Sequence, residues 1–435
     1  MPLHQEPLPE GAVLPPRGYA WIVFACTFGL LLSDYMSRQV LNAVFPLLKA
    51  EWGLSDTELG SLAGVVALMV GLLTVPLSVL ADRWGRVRSI VLMAALWSLA
   101  TLGCALAEGY GQMLLARFFV GIGEAAYGSV GVALILSIFP SHLRATLTGA
   151  FMAGGAFGSV LGMALGGAIA AKLGWRWSFG AMALFGFALV VLYMLLVSER
   201  RLSSAGPAPS RRAAGAGERS WQAALRPLVG SRSVLCAYAG SGLQLFVMAS
   251  VIAWMPSFMN RYYGMPADRA GAAAAVFVLL GGAGMVLCGV VTDRVSRHDG
   301  ARKWNSAIAY CLLACILLGA GFSLPPGPAQ LALLGVGMLF AAGTSGPAGA
   351  MVANLTPAWC HGAAFAVLTL VNNLLGLAPG PFLTGALADR IGLAGALQLA
   401  PLLALGAGML FALGRRNYAA DLARLGVAAD DQGAA

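Results

Sequence analysis

The chain has 435 residues, of which 59% are hydrophobic and only 10% are charged, and its mean hydropathy is +0.79. Because a soluble domain carries about a quarter charged residues, this composition excludes a soluble protein and indicates an α-helical membrane protein with many spans. The net charge of +9 does not indicate a nucleic-acid partner, since the arginines fall mainly in loops that flank apolar stretches.

The seven cysteines lie in or at the edges of apolar stretches and form no metal-ligand spacing with the four histidines. The sequence carries no motif of a nucleotide-binding loop, a zinc protease or a serine hydrolase. We therefore expect no metal, no cofactor and no enzymatic activity.

The N-terminal segment, residues 1–18, contains five prolines and no short apolar run that ends in a cleavage site. We therefore predict no signal peptide and place this segment in the cytosol. A helix needs about 20 apolar residues to cross a bilayer. At that length the sequence predicts twelve spans, at 19–46, 58–81, 89–108, 111–139, 147–171, 177–197, 233–257, 271–292, 305–324, 329–354, 363–388 and 393–414.

A polar stretch rich in serine, proline, alanine and arginine separates the first six spans from the last six. We predict an N-terminal six-helix bundle at 19–198 and a cytosolic linker at 199–232. A C-terminal six-helix bundle at 233–414 and a cytosolic tail at 415–435 complete the predicted organisation.

The distribution of lysine and arginine tests this orientation. The segments assigned to the cytosol hold 19 of these residues and the external segments hold 6, a bias that supports cytosolic termini and an even number of spans. With 24 arginines and only 3 lysines, the composition is typical of a GC-rich bacterial genome. We therefore expect a multi-pass protein of the bacterial cytoplasmic (inner) membrane.

A short charged motif occurs twice, 211 residues apart, in the loops after spans 2 and 8. Both copies have the spacing G/S-x3-D-R-x2-R, which indicates a duplicated membrane unit. The alternative is that the arginines only anchor these loops at the cytosolic surface. The charged residues of the motif are Asp82, Arg83 and Arg86 in the first copy and Asp293, Arg294 and Arg297 in the second.

Both copies resemble the loop 2–3 signature of the major facilitator superfamily, although Ser78 and Ser296 replace glycines of that pattern. The resemblance implies an all-α membrane protein with 12 transmembrane helices in two pseudo-symmetric six-helix bundles. It also implies secondary active transport by alternating access, in which the motif charges hold one conformational state closed.

Four ionisable residues fall inside the predicted spans, where each is costly. Asp34 and Arg38 lie four residues apart on one face of span 1, and Arg117 and Glu124 lie seven apart on one face of span 4. This neutral set becomes positive when a carboxylate takes a proton, and it can then hold an anion. We predict Glu124 and Asp34 as proton-coupling residues and both arginines as substrate-binding residues. The alternative is a structural ion-pair network.

Spans 7–12 contain no acid or base at membrane depth, so we predict that the second bundle shapes selectivity with neutral side chains. For each candidate the alternative is a hydrogen bond between packed spans. Aromatic residues are expected to complete the substrate site. The polar candidates are Gln244, Thr344, Ser345, Asn372 and Asn373, of which Gln244, Asn372 and Asn373 join Tyr35 and Tyr127 as predicted substrate-binding residues.

Two further stretches carry a narrower resemblance. The sequence RFFVGIGEAAY at 117–127 resembles the R-x3-G-x-G-E-A-x-Y pattern of spinster-like transporters, a branch associated with lysophospholipid and sphingolipid export in animals. At 34–38 the chain reads DYMSR, where that branch and the neighbouring anion:cation symporters usually read N-Y-x-D-R. The acid therefore stands at Asp34, and Ser37 occupies its usual position.

Span 5 carries glycines 149, 158, 162, 166 and 167, which resemble an antiporter motif except that Met163 replaces its proline. Small residues at this spacing allow helices to approach closely, so we predict a packing role. Trp254 lies near the end of span 7, where we predict a place in the headgroup belt.

These patterns predict a proton-coupled secondary active transporter that moves a small organic anion by alternating access. The alternative is a proton-antiport exporter of lysolipid-like or amphipathic drug-like substrates. The expected partners are a small-molecule substrate, protons and the lipid bilayer, and we expect a monomer.

Overall fold

The computed structural model describes residues 16–203 and 228–433, so most of the N-terminal segment and of the predicted linker lie outside the described residues. Two short 3-10 helices, Ala358–Cys360 and Ala400–Leu402, and one π-helical turn, Asn373–Leu377, interrupt the second half. The α-helices of the described residues are Arg17–Trp52, Asp56–Trp84, Arg86–Leu106, Tyr110–Glu124, Tyr127–Ile138, Ser141–Leu173, Trp175–Leu196, Glu199–Ser203, Arg232–Tyr263, Ala267–Val295, Arg302–Ser323, Pro328–Ala341, Ser345–Asn354, His361–Asn372, Pro379–Leu399 and Leu403–Gly433.

The described helices form twelve spans, which confirms the predicted number. Eleven apolar stretches are long enough to cross a membrane, and the last of them, His361–Arg424, covers 64 residues. Gly392 divides that stretch, because its backbone has φ 79° and ψ 157°, which a helix cannot accommodate. Spans 4 and 10 each consist of two helices, Tyr110–Glu124 with Tyr127–Ile138 and Pro328–Ala341 with Ser345–Asn354.

Local signals in the sequence fix where several spans begin and end. Span 2 begins with a capping box, in which Ser55 Oγ accepts from the Glu58 backbone N–H and Glu58 accepts from the Ser55 N–H. Spans 1 and 7 both end at a left-handed glycine, Gly53 and Gly264. These two glycines are 211 residues apart, the offset of the charged motifs, so the duplication extends to the helix caps.

The breaks in spans 4 and 10 free backbone carbonyls near the middle of each span, and side chains from neighbouring spans bond them. Thr74 of span 2 donates to the Ala125 carbonyl at 2.8 Å, and Gln244 of span 7 donates to the Ala341 carbonyl at 3.1 Å. A backbone group without a partner is costly in a membrane, so these bonds make the two breaks tolerable.

The two bundles touch through the pairs formed by spans 5 and 8, spans 2 and 11, and spans 1 and 7. Glycines allow the close approach: a Cβ added at Gly64 would stand 2.5 Å from the Ala378 carbonyl oxygen, and one at Gly60 would collide with Pro381. These contacts lie near the connections between spans 1 and 2, 7 and 8, and 11 and 12. We call this the closed end of the molecule.

The glycines of span 5 pack against span 1, which confirms the packing prediction. A Cβ added at Gly158 or Gly162 would stand 2.5 Å from the carbonyl oxygen of Leu32 or Met36, respectively. Gly167 contacts Ala267 of span 8 in the same way. One helix therefore packs closely on its own bundle and on the other bundle.

Trp254 does not lie in a headgroup belt, so that prediction is wrong. Its side chain is fully buried, its Nε1 donates to the Pro381 carbonyl at 3.0 Å, and its ring packs against Phe45. Spans 1 and 11 cover this end of span 7 because the two bundles meet there.

The final helix continues to Gly433, beyond the predicted end of span 12 at residue 414. Asp421 holds this extension against the start of span 7, where it accepts from the Ser233 backbone N–H at 3.0 Å and from the Ser231 hydroxyl at 2.8 Å. The extension thus supplies a cap to another helix.

Candidate functional site

Span 1 and span 4 bring together three of the four ionisable residues predicted from the sequence. Arg38 donates from Nε and Nη2 to the same oxygen of Glu124, at 3.0 and 2.6 Å. Asp34, one turn before Arg38, is buried and interacts with both groups. The i, i+4 spacing therefore places Asp34 and Arg38 on the face of span 1 that meets span 4.

Arg38 is the member of this group that reaches accessible space. Its side chain is 22% exposed, whereas that of Glu124 is 0% exposed. The guanidinium lies 5.3 Å from the centre of the Tyr35 ring, a cation–π contact on the same helix. Arg38 has five N–H donors and uses two on Glu124. The remaining N–H donors of Arg38 are therefore available to a second acceptor.

The carboxyl group of Asp34 interacts electrostatically with that of Glu124 and with the guanidinium of Arg38. Asp34 Oδ1 and Glu124 Oε1 are both buried and have no donor among the described residues. Ionised carboxylates only accept hydrogen bonds, so these two groups can bond each other only when one of them carries a proton.

Arg117 lies apart from the ion pair and braces three spans. It is 1% exposed, and it donates to the carbonyls of Ser37 on span 1 and Leu62 on span 2, at 3.2 and 3.4 Å. Ser37 precedes Arg38, so Arg117 holds the backbone from which the Arg38 side chain extends. The sequence placed both arginines in one cluster but did not show that one of them donates to the backbone carbonyls of two neighbouring spans.

The two predicted tyrosines have different surroundings. Tyr35 is half-buried beneath the Arg38 guanidinium. Tyr127 is fully buried, begins the second helix of span 4 and donates to the Thr27 carbonyl of span 1 at 2.6 Å. Tyr35 therefore lies beside the accessible part of the site, whereas Tyr127 joins two spans behind it.

The neutral candidates of the second bundle lie along the broken parts of spans 10 and 11 and the facing side of span 7. Gln244 is buried and bonds the Ala341 carbonyl. Asn373 donates to the Thr369 carbonyl at 2.9 Å and faces Gly71 of span 2, and Asn372 is half-buried beside it. The side-chain oxygens of all three amides have no donor among the described residues.

The motif charges lie at the end of the molecule opposite the closed end. Arg86 donates to the Ala133 carbonyl of span 4 at 3.0 Å. Asp82, Arg83, Asp293, Arg294 and Arg297 are exposed, and none of them forms an ion pair within the described ranges. Of the motif charges, Arg86 therefore contacts span 4, whereas the other five form no ion pair among the described residues in this conformation.

The closed end holds a charged clamp that sequence reasoning missed. Asp56, at the start of span 2, accepts from Lys49 at 2.6 Å and from both Nη atoms of Arg261 on span 7, at 2.7 and 2.6 Å. Asp389 of span 11 accepts from the backbone N–H groups of Asp56 and Thr57, both at 2.8 Å. Span 2 is thus held by ion pairs and by a cap from the other bundle.

Comparison with known proteins shows a matching family and several similar transporters. The model of the Major Facilitator Superfamily matches residues 27–381. The chain is 28% identical over 302 residues to the probable L-galactonate transporter of Escherichia coli (strain K12), covering 67% of this chain and 65% of that protein. It is 27% identical over 332 residues to the gallate transporter of Pseudomonas putida, covering 70% and 72%.

A second group of relatives belongs to the spinster branch. The chain is 29% identical to human protein spinster homolog 1 over 260 residues, which cover 57% of this chain and 47% of that protein. The fold matches the crystal structure of a bacterial homolog of the human lysosomal transporter spinster, in an inward-facing and unoccupied conformation. That match has a TM-score of 0.82 at 19% identity and covers 93% of this chain and 99% of the other.

Proposed function

The chain belongs to the major facilitator superfamily and is a multi-pass secondary transporter of a small molecule, and from that premise we propose that it moves a small organic carboxylate together with a proton. We further propose that it resides in a bacterial inner membrane with both termini in the cytosol. In that orientation the closed end faces outward and the exposed motif charges face the cytosol.

The observation that carries the proposal is the accessible guanidinium of Arg38, which is paired with the buried carboxylate of Glu124. Arginine binds carboxylates in a forked geometry, and a partly buried arginine holds an anion more strongly than one in water. Relatives named for galactonate, gallate and hexuronate transport are all named for carboxylic acids. These names support the substrate class.

Competition for Arg38 gives a simple coupling scheme. Glu124 occupies the guanidinium through one oxygen when no substrate is bound. A proton on the pair formed by Asp34 and Glu124 weakens that hold, because it removes one negative charge. Arg38 can then accept a carboxylate, and the buried charge balance is restored. Substrate and proton therefore bind together, and Arg117 keeps span 1 in place.

The two ends of the molecule provide the gates. We propose that Asp56, Arg261 and Asp389 hold the external end closed in this conformation. The motif residues Asp82, Arg83, Arg86, Asp293, Arg294 and Arg297 engage when the cytosolic end closes instead. The external gate joins spans of the two bundles, and the motif residues lie in the loops after spans 2 and 8, one in each bundle. Alternating access requires such a contact at each end of the molecule.

Uptake into proteoliposomes with an imposed pH gradient tests the proposal. Galactonate, gallate and a hexuronate are the probes, and Glu124→Gln is compared with wild type and with Glu108→Gln, the same substitution at an exposed acid between spans 3 and 4. We expect the gradient to drive carboxylate uptake in wild type and in Glu108→Gln but not in Glu124→Gln. Uptake that ignores the gradient in wild type would contradict proton coupling.

A second candidate is antiport of an amphipathic or lysolipid-like substrate. The spinster-like sequence at 117–127 and the neutral second bundle favour it. The same vesicles loaded with a labelled lysophospholipid decide between the two: proton-dependent lipid movement without carboxylate uptake would support the exporter and overturn the anion proposal.

A further inference from the structure

A narrow groove lies between spans 2 and 3 of the first bundle. Both spans pack on span 4 but make few contacts with each other, so a gap stays open between them. The groove has a volume of about 130 Å³ and an almost wholly apolar lining. The side chains that line it include Leu80 and Trp84 of span 2, Leu92, Met93 and Leu96 of span 3, and Ile122 of span 4.

The groove faces away from the second bundle. Gly71 of span 2 packs against Asn373 of span 11, and Leu80 follows Gly71 by nine residues, which is two and a half helical turns. Leu80 therefore lies on the opposite side of span 2. On span 3, Leu92 and Leu99 are each more than half exposed. Because exposed leucines on a membrane span face lipid, the groove opens to the bilayer.

The lining suits a hydrocarbon chain better than a polar ligand. Ser89 contributes the hydroxyl group of the lining, and that group already donates to the Gly85 carbonyl at 2.8 Å. The other side chains of the groove are aliphatic, apart from the Trp84 indole at its end. An acyl chain in this groove would gain van der Waals contact on three sides, which is the attraction that drives packing inside a bilayer.

The second bundle fills the corresponding place with a side chain of its own. Spans 8 and 9 also pack on span 10. Tyr310 of span 9 bonds the Thr292 hydroxyl at 3.1 Å and the Cys288 carbonyl at 3.0 Å, both on span 8. Its ring stacks on Phe340 of span 10, with centroids 6.1 Å apart. Thr292 follows Ala81 of the groove by 211 residues, the offset of the duplication. The groove therefore distinguishes the first bundle from the second.

Two exposed arginines flank the end of the groove at the loop between spans 2 and 3. Arg83 follows Leu80 by three residues, and Arg88 precedes Leu92 by four, so each arginine shares a helix face with one edge of the groove. Both are exposed, and neither forms an ion pair within the described ranges. Their guanidinium groups are available to an anion at the surface of the membrane.

The acids of this region do not cancel its positive charge. Asp82 is exposed in the same loop, and a Cβ added at Gly85 would collide with the carboxylate of Glu199. These two acids stand against three arginines, at positions 83, 86 and 88. The end of the groove therefore keeps an excess of positive charge.

We propose that this groove binds a phospholipid with an anionic headgroup, with one acyl chain between spans 2 and 3 and the headgroup at Arg83 and Arg88. The groove extends from Trp84, at the end of span 2, to Ile122, near the middle of span 4. An acyl chain takes the same course from the surface to the middle of a bilayer, and tryptophan is typical of the headgroup level. In the proposed orientation this is the cytosolic leaflet, where anionic lipids attract basic segments.

Photolabelling of the purified transporter in lipid nanodiscs tests the site. The discs contain phosphatidylcholine and a small fraction of phosphatidylglycerol with a diazirine on its acyl chain, and mass spectrometry locates the label. We expect residues 92–96 of span 3 to take several-fold more label than residues 312–316 of span 9, which include exposed apolar side chains but lie beside the place that Tyr310 fills. Equal labelling of the two stretches would overturn the site.

Two pairs of variants test the groove and its charge separately. Leu96→Trp fills the groove and should lower the labelling of span 3 several-fold, whereas Leu99→Trp, an exposed position outside the lining, should not. Arg88→Gln should remove most of the preference for phosphatidylglycerol over a diazirine-bearing phosphatidylcholine. Arg302→Gln, at the exposed start of span 9, should leave that preference unchanged.

The contradicting outcomes are distinct and do not depend on transport. Undiminished labelling of span 3 in Leu96→Trp would overturn the groove as the binding place. Equal labelling by the two lipids in wild type would overturn the anionic headgroup. A dimer in native mass spectrometry, with no label in the groove from either lipid, would instead assign this surface to a second copy of the chain.

Discussion

Spans 1 and 4 of the first bundle make the same contact as spans 7 and 10 of the second, but with different chemistry. Span 4 breaks after Glu124, and that residue bonds Arg38 of span 1. Span 10 breaks after Ala341, and the backbone carbonyl of that residue bonds Gln244 of span 7. One scaffold therefore holds a carboxylate–guanidinium pair in one half and an amide–carbonyl hydrogen bond in the other.

The two halves of this duplicated fold differ in the cost of the contact that each one keeps. A buried ion pair costs desolvation energy and is retained in a membrane where it serves a function, whereas a neutral hydrogen bond only satisfies a broken helix. The geometry of both contacts follows from the fold. The charge in the first bundle, and its absence at the equivalent place in the second, is the reason that we propose the first bundle as the site of proton and anion chemistry.

Among these substitutions, we expect the removal of Arg38 to have the largest effect on carboxylate uptake. Arg38→Ala leaves Glu124 unpaired in a buried site, a loss of about 3–5 kcal/mol, and removes the proposed anion contact. We expect carboxylate uptake to fall below detection. Arg38→Lys keeps the charge but loses the fork, so the half-saturating carboxylate concentration should rise roughly 10- to 100-fold. Arg390→Lys, at an exposed position of span 11, is the control. Unchanged uptake in Arg38→Ala would refute the role of this pair.

The Arg261→Ala variant tests whether the ion pairs of the clamp hold the two bundles together at the closed end. Arg261→Ala removes two hydrogen bonds to Asp56 and should destabilise the closed end by about 2 kcal/mol, a factor of roughly 30 in population. Distances between spin labels on spans 2 and 11 measure the shift. Arg176→Ala breaks an ion pair with Glu51 inside the first bundle and should leave these distances alone. Equal effects of the two variants would show that the clamp does not join the bundles.

The cap from Asp389 should have a smaller effect at the same place. Asp389→Ala leaves two backbone N–H groups at the start of span 2 without their acceptor, which costs about 1 kcal/mol. The same label distances should move toward the open end of their range by less than in Arg261→Ala. Asp299→Ala, an exposed acid at the opposite end, should cause no change. A shift larger than that of Arg261→Ala would reverse the proposed ranking of the two contacts.

Among these substitutions, we expect Gln244→Ala to have the smallest effect on uptake. It removes one neutral hydrogen bond, worth about 1 kcal/mol, and no charge. We expect the melting temperature to fall by a few degrees, the proton dependence of uptake to persist and the preference among carboxylates to change. Loss of uptake as complete as in Arg38→Ala would place essential chemistry in both bundles.

Much of this organisation could be predicted from the sequence. Apolar length predicts the spans, and the cost of charge in a membrane singles out Asp34, Arg38, Arg117 and Glu124. Helical spacing places Asp34 and Arg38 on one face, and the structure confirms that they meet Glu124. These inferences hold because they depend on periodicity and burial within one helix.

Other features depend on how distant spans dock, which the sequence does not show. In the sequence, the three residues of the clamp look like ordinary charges in external loops: Asp56, Lys49 and Arg261. The one local signal near them is the capping box at 55–58, which indicates only where span 2 begins. The sequence places Trp254 near the end of span 7 and so predicts a headgroup contact. Its contact with spans 1 and 11 arises only when the two bundles pack together.

The number of protons taken up with each bound carboxylate tests the proposed coupling between Arg38 and the two acids. Calorimetric titration of the purified transporter in two buffers of different ionisation enthalpy measures it at fixed pH. We predict uptake of about one proton per bound carboxylate in wild type and close to none in Glu124→Gln. Carboxylate binding without proton uptake in wild type would contradict the proposed coupling between Arg38 and the two acids.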